Sequence, residues 1–330
     1  MDPHPSGIAV YSRELLSGLA RVHPEDRFLH CYRPKQFFAA PRLQNASKRL
    51  LLPPLPTFRA DVFHALNQRL DRRPAKRVVC TFHDLFVMTN EYSSEDFRTR
   101  FIEQARQAGM KADLIIAVSQ FTADQVNTLL HVPKERIRVV PHGIRTPSGT
   151  SEIKRENVVL FVGALQVRKN VIRLIEAFEQ MPREWTLVLA GATGFGAGEI
   201  MQRVKTSHAR ERITITGYAS NQEIDLLYAR ASVFAFPSLD EGFGMPVLEA
   251  MARGLPVITS NRSALPEVAG DAALLVNPYR TEEIASALLR LADDARLRAE
   301  LAEAGRHRAK LFSWKNAVER TYDVYRELAS

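Results

Sequence analysis

Cysteine is scarce in this chain, with two residues in 330, Cys31 in FLHCY and Cys80 in VVCTF. Both fall in short apolar runs that read as strands. They are expected as reduced core side chains, which excludes a disulfide framework. Long apolar runs are lacking as well. None approaches the roughly 18 residues that cross a bilayer, and the opening MDPHPSG has neither the basic nor the apolar region of a secretory signal, so the cytoplasm is the expected compartment. Short-period repeats and low-complexity tracts are missing, which argues against solenoids and tails. No spacing of His, Cys and acidic residues fits a metal cage.

What is present suits two ordinary domains, with 45% hydrophobic and 25% charged residues. Short β-branched runs alternate with longer amphipathic stretches, the pattern of parallel sheets covered by helices, so the fold class is α/β. RFLHCY, DVFHA, RVVCTF, DLIIAVS and RIRVV read as strands of a first half. NVVLFVG, WTLVLAG, RITITG, SVFAFP, LPVITS and ALLVN read as strands of a second. Gly, Pro and Ser in HGIRTPSGTSEIKREN mark a linker near residues 143–156. Three helices are expected from about Thr281, the last with Ser313 as N-cap and an apolar face of Trp314, Val318, Tyr322 and Tyr325. A doubly wound domain ordinarily opens on a buried strand. Here PSGIAVYSRELLSGLA puts loop and helix first.

Positive charge is unevenly spread. The net charge is +8, yet the segment from Arg33 to Arg77 holds eleven Lys or Arg against Asp61 and Asp71. With Phe37, Phe38 and the apolar LLLPPLP from Leu50, it is either a surface for an anionic membrane or a solvated face with buried stems. Nucleic acid ranks third, because no recognition motif accompanies the charge, and is not expected as a partner.

Chemistry concentrates in EGFGMPVLEAMARG. Pro246 suits a first helical turn and Gly254 a helix end, giving about two turns of helix. The N-terminus of that helix, beside Gly242 and Gly244, forms an anion cradle. Two carboxylates beside a phosphate, Glu241 and Glu249, would repel it unless they bind something else, and sugar hydroxyls are the natural choice. Taken singly, each acid also has a plain structural reading, Glu249 complementing the helix dipole and Glu241 solvated. In LFVGALQVRKN, Gly163 ends a strand, and Arg168 and Lys169 follow where α/β sheets bind ligands. In VVCTFHD, His83 comes directly after a strand, at a carboxyl end where it could donate a hydrogen bond to a sugar or phosphate; taken alone, a histidine there is more simply a capping or packing residue. GATGFGAG has the wrong glycine spacing for a dinucleotide fingerprint and reads as a flexible loop. Ser119 in AVSQF reads as a helix cap.

In order and spacing, PSGIAVYSRELL, FHDLF, IAVSQFT, VVPHGI, VLFVGALQVRKNV, ITGYASNQEIDLLYARA and FPSLDEGFGMPVLEAMARGLPVITSNRSALPEVAGDAALLVNP resemble family 4 of the retaining glycosyltransferases. The resemblance covers nearly the whole chain. It implies the GT-B architecture, two doubly wound Rossmann-like domains facing across a cleft: residues 1–148 on the acceptor side, 149–312 binding a nucleotide sugar, and a final helix, 313–330, crossing back to the first. It also implies that Glu249 holds the ribose, Glu241 the donor hexose, and Arg168 and Lys169 the diphosphate, with the amides of Phe243 and Gly244. Gly217 and Tyr218 would meet the base, His83 the donor sugar, and Gly7 the phosphate or acceptor. The implied reaction is retaining hexosyl transfer to a glycan or lipid-linked acceptor, with no obligatory metal and no cofactor. PEVAGDAALLVNP looks most like mannosyltransferase-type members, making GDP-mannose the first donor candidate and a UDP-sugar the second. The chain departs from the family pattern at its start, where the usual first strand is missing and a glycine pair is reduced to one. That departure motivates the alternative of a non-catalytic nucleotide-sugar binder or membrane-associated scaffold.

Overall fold

The computed structural model describes residues 7–32, 34–38, 45–52, 59–90, 92–145 and 153–330. The chain divides into two compact units, one of residues 1–143 with 312–330 and one of residues 144–311.

In the first unit the helices are α1 (Gly7–Val22), α2 (Pro34–Phe37), α3 (Phe86–Thr89), α4 (Glu95–Lys111) and α5 (Gln120–Leu130). The strands are β1 (Phe28–Tyr32), β2 (Ala46–Leu50), β3 (Phe63–Ala65), β4 (Val78–Phe82), β5 (Leu114–Ala117) and β6 (Ile137–Val139). They make two parallel sheets, β1-β2 and β3-β4-β5-β6. Among the described residues no strand precedes α1. Strand β4 is buried at all five positions and β5 at all four, which explains their unbroken apolar runs: a strand covered on both faces shows no alternation. Ser119 caps α5 by accepting the Thr122 N–H at 3.0 Å. Cys80 is core as expected, whereas Cys31 on β1 is only half-buried; both are free thiols.

The second unit comprises β7 (Val158–Val162), α6 (Val171–Phe178), β8 (Thr186–Ala190), α7 (Ala197–Thr206), β9 (Ile213–Gly217), α8 (Asn221–Arg230), β10 (Val233–Phe236), α9 (Met245–Ala252), β11 (Val257–Ser260), α10 (Leu265–Ala269), β12 (Leu274–Val276), α11 (Thr281–Asp293) and α12 (Ala295–Ala309). Its six strands form one parallel sheet in the order β12-β11-β10-β7-β8-β9. All strands expected of this half are present. Its core is aromatic at the centre, where Phe161, Phe234 and Phe236 on neighbouring strands are fully buried and stack at centroid distances of 5.7 and 5.9 Å.

The last helix, α13 (Trp314–Ala329), belongs to the first unit. Ser313 caps it, accepting the Asn316 N–H at 3.1 Å. Its apolar face packs on α1 through Val318, Tyr322 and Tyr325, and on β4 and β5 through Ala317 and Val324. Two glycines permit this approach. A Cβ on Gly18 would fall 2.4 Å from Val318 Cγ2, and one on Gly143 would fall 2.1 Å from the Trp314 backbone nitrogen.

Candidate functional site

The sheet order of the second unit reverses between β7 and β10, because β8 and β9 wind out on one side and β11 and β12 on the other. Loops leaving β7 and β10 therefore diverge, and open α/β sheets bind ligands in the crevice this creates at their carboxyl ends. Arg168 and Lys169 lie in the loop after β7, closing the 3-10 turn Val167–Lys169, and Glu241 lies in the loop after β10.

These three side chains meet. Glu241 Oε1 accepts from Arg168 Nη1 at 3.0 Å and from Lys169 Nζ at 2.5 Å, with 13%, 8% and 9% of the Arg, Lys and Glu side chains exposed. Arg168 Nη1 also donates to the Asp240 carbonyl at 2.8 Å, and Lys169 Nζ stands 4.6 Å from the centre of the Phe236 ring. Burial alone would push the Glu241 carboxyl up. The charges of Arg168 and Lys169 outweigh burial and bring it down to about 2, so it is ionised. A solvated Glu241 is thereby ruled out. The triad carries one net positive charge in a site largely shielded from water.

The scaffold under the triad is backbone. Asn170, in the left-handed region at φ 58°, donates its side-chain amide to the carbonyls of Pro237 (3.0 Å) and Pro278 (2.6 Å), tying the turn after β7 to the loops after β10 and β12. Ser263, at φ 56°, accepts the Glu241 N–H at 3.1 Å, and the Glu241 carbonyl accepts the Ala264 N–H at 3.2 Å. A Cβ on Gly191, after β8, would fall 2.0 Å from the Gly163 carbonyl oxygen, and one on Gly196 would meet Val167 Cγ2 at 2.2 Å. The segment read as a flexible loop is thus a packed support of the Arg168–Lys169 turn, and its end begins α7. Gly191 and Gly196 are required there by close approach rather than by mobility.

Gly242, Phe243 and Gly244 follow Glu241 in a buried loop that leads into α9. Gly244 has φ 106°, and Pro246 stands in the first helical turn, where a missing N–H costs nothing. Glu249, one turn further, is held by a different set of groups. The Tyr228 hydroxyl from α8 donates to its Oε2 at 3.2 Å. Burial pushes the Glu249 carboxyl up, against the opposing charge of Arg253. Gly217 ends β9 at φ 67° with open space where a Cβ would stand, and Tyr218 beside it is 46% exposed. Gly163, Arg168, Lys169, Gly217, Tyr218, Glu241, Gly242, Phe243, Gly244 and Glu249 all belong to the second unit.

In the first unit Gly7 begins α1, with nothing within 4 Å of a Cβ built there. His83 follows β4 and is buried. Its Nε2 lies 2.9 Å from the Leu66 carbonyl, an acceptor only, so Nε2 carries the hydrogen. In the neutral ring Nδ1 is then an acceptor, 3.4 Å from His142 Nε2. Burial brings the His83 pKa down to about 4, which keeps it neutral. Both ring nitrogens thus have protein partners. The sequence reading missed Asn170, Ser263, Tyr228 and His142. Their signal was faint: Asn and Ser are the residues that tolerate left-handed backbone and turn positions, but nothing local says which ones do.

Among the described residues no group of three or more His, Cys, Asp or Glu side chains converges as a metal ion would require, and no helix is long and apolar enough to cross a membrane.

A two-unit Rossmann-like α/β chain whose cations and carboxylate converge at a switch point is of the GT-B class, and solved structures of that class match it throughout. Sucrose-phosphate synthase from Thermosynechococcus elongatus superposes with a TM-score of 0.78 at 22% identity, over 98% of this chain and 94% of that one. Anabaena Alr3699/HepE, solved in complex with UDP and glucose, superposes with a TM-score of 0.75 at 19% identity, over 100% and 98%. Residues 5–147 match the model of Glycosyltransferase Family 4 and residues 146–308 that of Glycosyl transferases group 1. The O-antigen chain mannosyltransferase B of Escherichia coli is 32% identical over 285 residues, 81% of this chain and 74% of the relative. The chain belongs to glycosyltransferase family 4, and it is a glycosyltransferase.

Proposed function

We propose that the enzyme transfers a hexose, with retention at the anomeric carbon and without an obligatory metal, from a nucleoside diphosphate sugar to a glycan or lipid-linked acceptor of polysaccharide synthesis. The observation that carries this is the buried Arg168–Lys169–Glu241 triad at the switch point, beside the glycine loop that enters α9. Arg168 and Lys169 bind the diphosphate and stabilise the charge it gains on leaving, joined by the amides of Phe243 and Gly244 at the positive end of α9. Glu241, kept ionised by the same cations, accepts from hexose hydroxyls. Glu249 accepts from the ribose, and Gly217 with Tyr218 borders the base. The departing diphosphate and the entering acceptor share one face of an oxocarbenium-like sugar, so the protein supplies charge and position rather than a nucleophile. Similarity to a mannosyltransferase makes GDP-mannose the first donor to try, and the UDP complex of a fold relative makes a UDP-sugar the second.

Incubation with labelled nucleotide sugars and a panel of glycan and lipid-linked acceptors tests the reading. Transfer is expected from one donor, undiminished by a chelator and with unchanged anomeric configuration in the product's NMR spectrum. Glu249→Ala should weaken nucleoside diphosphate binding about tenfold in calorimetry, the scale of one charge-assisted hydrogen bond. Absence of turnover with every common donor counts against the assignment.

Peripheral binding to an anionic membrane is proposed for the basic segment 33–77. Residues 33, 39–44 and 53–58 lie outside the described part, but Phe38, Leu50 and Leu52 within it are exposed at 87%, 39% and 54%. Anionic vesicles should retain the protein at low salt and release it at high salt; no retention at low salt removes the idea.

A further inference from the structure

The triad leaves a charge problem. It offers one net positive charge, whereas a sugar diphosphate carries two negative ones and its leaving group gains more. Further cations at the same end of the sheet would complement that charge, and among the described residues two arginines stand there together. Arg262, in the loop after β11, has its guanidinium carbon 5.2 Å from the centre of the Tyr279 ring, and Arg173 in α6 has its own at 5.9 Å.

Their position is fixed by the residues that build the triad. Arg262 directly precedes Ser263, which accepts the Glu241 N–H. Tyr279 directly follows Pro278, whose carbonyl is held by Asn170, the residue after Lys169. Arg173 donates to the side-chain oxygen of the same Asn170 at 3.1 Å. Tyr279 is 48% exposed, and its N–H is tied to Asn277 Oδ1 at 3.0 Å.

Among the described residues neither guanidinium pairs with a carboxylate. The nearby acids are engaged elsewhere: Glu283 with the Asn277 N–H and Arg280, Glu176 with Arg203 and Thr281. An arginine stacked on an aromatic ring is pre-oriented and keeps its donor edge for an anion, which is how guanidinium groups recognise phosphate.

We infer that Arg173, Arg262 and Tyr279 form a second anion subsite at the carboxyl edge of β11 and β12, taking a phosphoryl group next to the triad. The inference rests on the donor-site reading above. The phosphoryl group has two sources, the donor's own diphosphate or a phosphate on the acceptor.

Calorimetry on the full-length wild type, Arg262→Gln, Arg173→Gln and the double variant separates them, with UDP, GDP, UMP, GMP and inorganic pyrophosphate as probes. If the donor's diphosphate uses the subsite, each substitution weakens nucleoside diphosphate binding about tenfold and leaves the monophosphates unchanged. If an acceptor phosphate uses it, the diphosphates bind as before, and pyrophosphate binding to the nucleotide-saturated protein disappears in the double variant. A double variant that keeps both nucleotide affinity and pyrophosphate binding overturns the subsite. Should the wild type bind no nucleotide, the donor-site reading fails by itself. The subsite then stands if pyrophosphate binds the free wild type and not the double variant, and falls if the two are alike. Circular dichroism of each variant confirms that the fold is intact.

Discussion

The Glu241 carboxylate keeps its charge in a place where burial alone would remove it, and it does so because two cations share one of its oxygens. Glu241→Gln preserves shape but removes the carboxylate that Arg168 and Lys169 share in a buried site, which costs about 3 kcal/mol or more. The expected result is a lower midpoint of denaturant unfolding together with weakened transfer; an unchanged midpoint contradicts the geometry. The pH dependence follows from the lowered pKa. The unfolded carboxyl titrates near 4.5 and the folded one near 2, so the unfolded state binds more protons between these values. The stability Glu241 contributes is whole above pH 4.5 and is lost as the pH falls toward 2, a loss that Glu241→Gln should lack. At this scale the sequence disclosed which residues carry chemistry, because Arg-Lys after a strand and two acids around glycines have local spacing. It could not disclose their pairing. Lys169 and Glu241 are 72 residues apart, and only the sheet order brings them together.

Secondary elements were legible wherever burial shaped the local pattern. Strands β7, β10 and β11 announce themselves as apolar runs because their neighbours cover them, while β2, written ASKRL with two cations among five residues and no buried position, carries no such run and was missed. Closeness between elements was the harder part, for it depends on a side chain that is not there. Gly244 illustrates this. Its φ of 106° lies where L-residues are rare, and a Cβ would fall 2.6 Å from Leu265 Cδ2, so a larger residue there meets backbone strain and must push the tip of Leu265 aside. Gly244→Ala should therefore cost about 1–3 kcal/mol of backbone strain. It should also turn the first amides of α9, weakening nucleoside diphosphate binding more than nucleoside binding. Thermal unfolding and calorimetry read the two effects separately; an alanine variant equal to wild type in both would show that the left-handed turn is not needed.

Taken as a whole, the molecule has its acid-sensitive groups unevenly placed, and the first unit holds a buried set of neutral histidines that the second lacks. Thr81 Oγ1 contacts His64 Nε2 at 2.8 Å and the Tyr11 hydroxyl at 2.9 Å, and His64 Nδ1 lies 2.6 Å from the Tyr325 hydroxyl, so the cluster joins α1, the β3–β4 pair and α13. His83 and His142 stack 5.4 Å apart beside Tyr11. Burial, with repulsion from His83, brings His64 down to about 3; burial brings His83 to about 4; burial and His83 lower His142 well below the ordinary range. Unfolded histidine titrates near 6.5, so as the pH falls below that value the unfolded state takes up protons that the folded one refuses. Stability from these groups is complete above pH 6.5 and declines as the pH drops through 4 toward 3. The first unit should consequently lose its structure before the second on acidification. Trp314 lies in the first unit and Trp185 in the second, so single-tryptophan variants report each unit. Trp314 fluorescence is expected to show a midpoint that falls steadily between pH 6.5 and 4, while Trp185 holds down to about pH 4.5, where the loss of the Glu241 contribution begins. Coincident transitions from both reporters across that range would mean that the histidine cluster does not govern the acid limb.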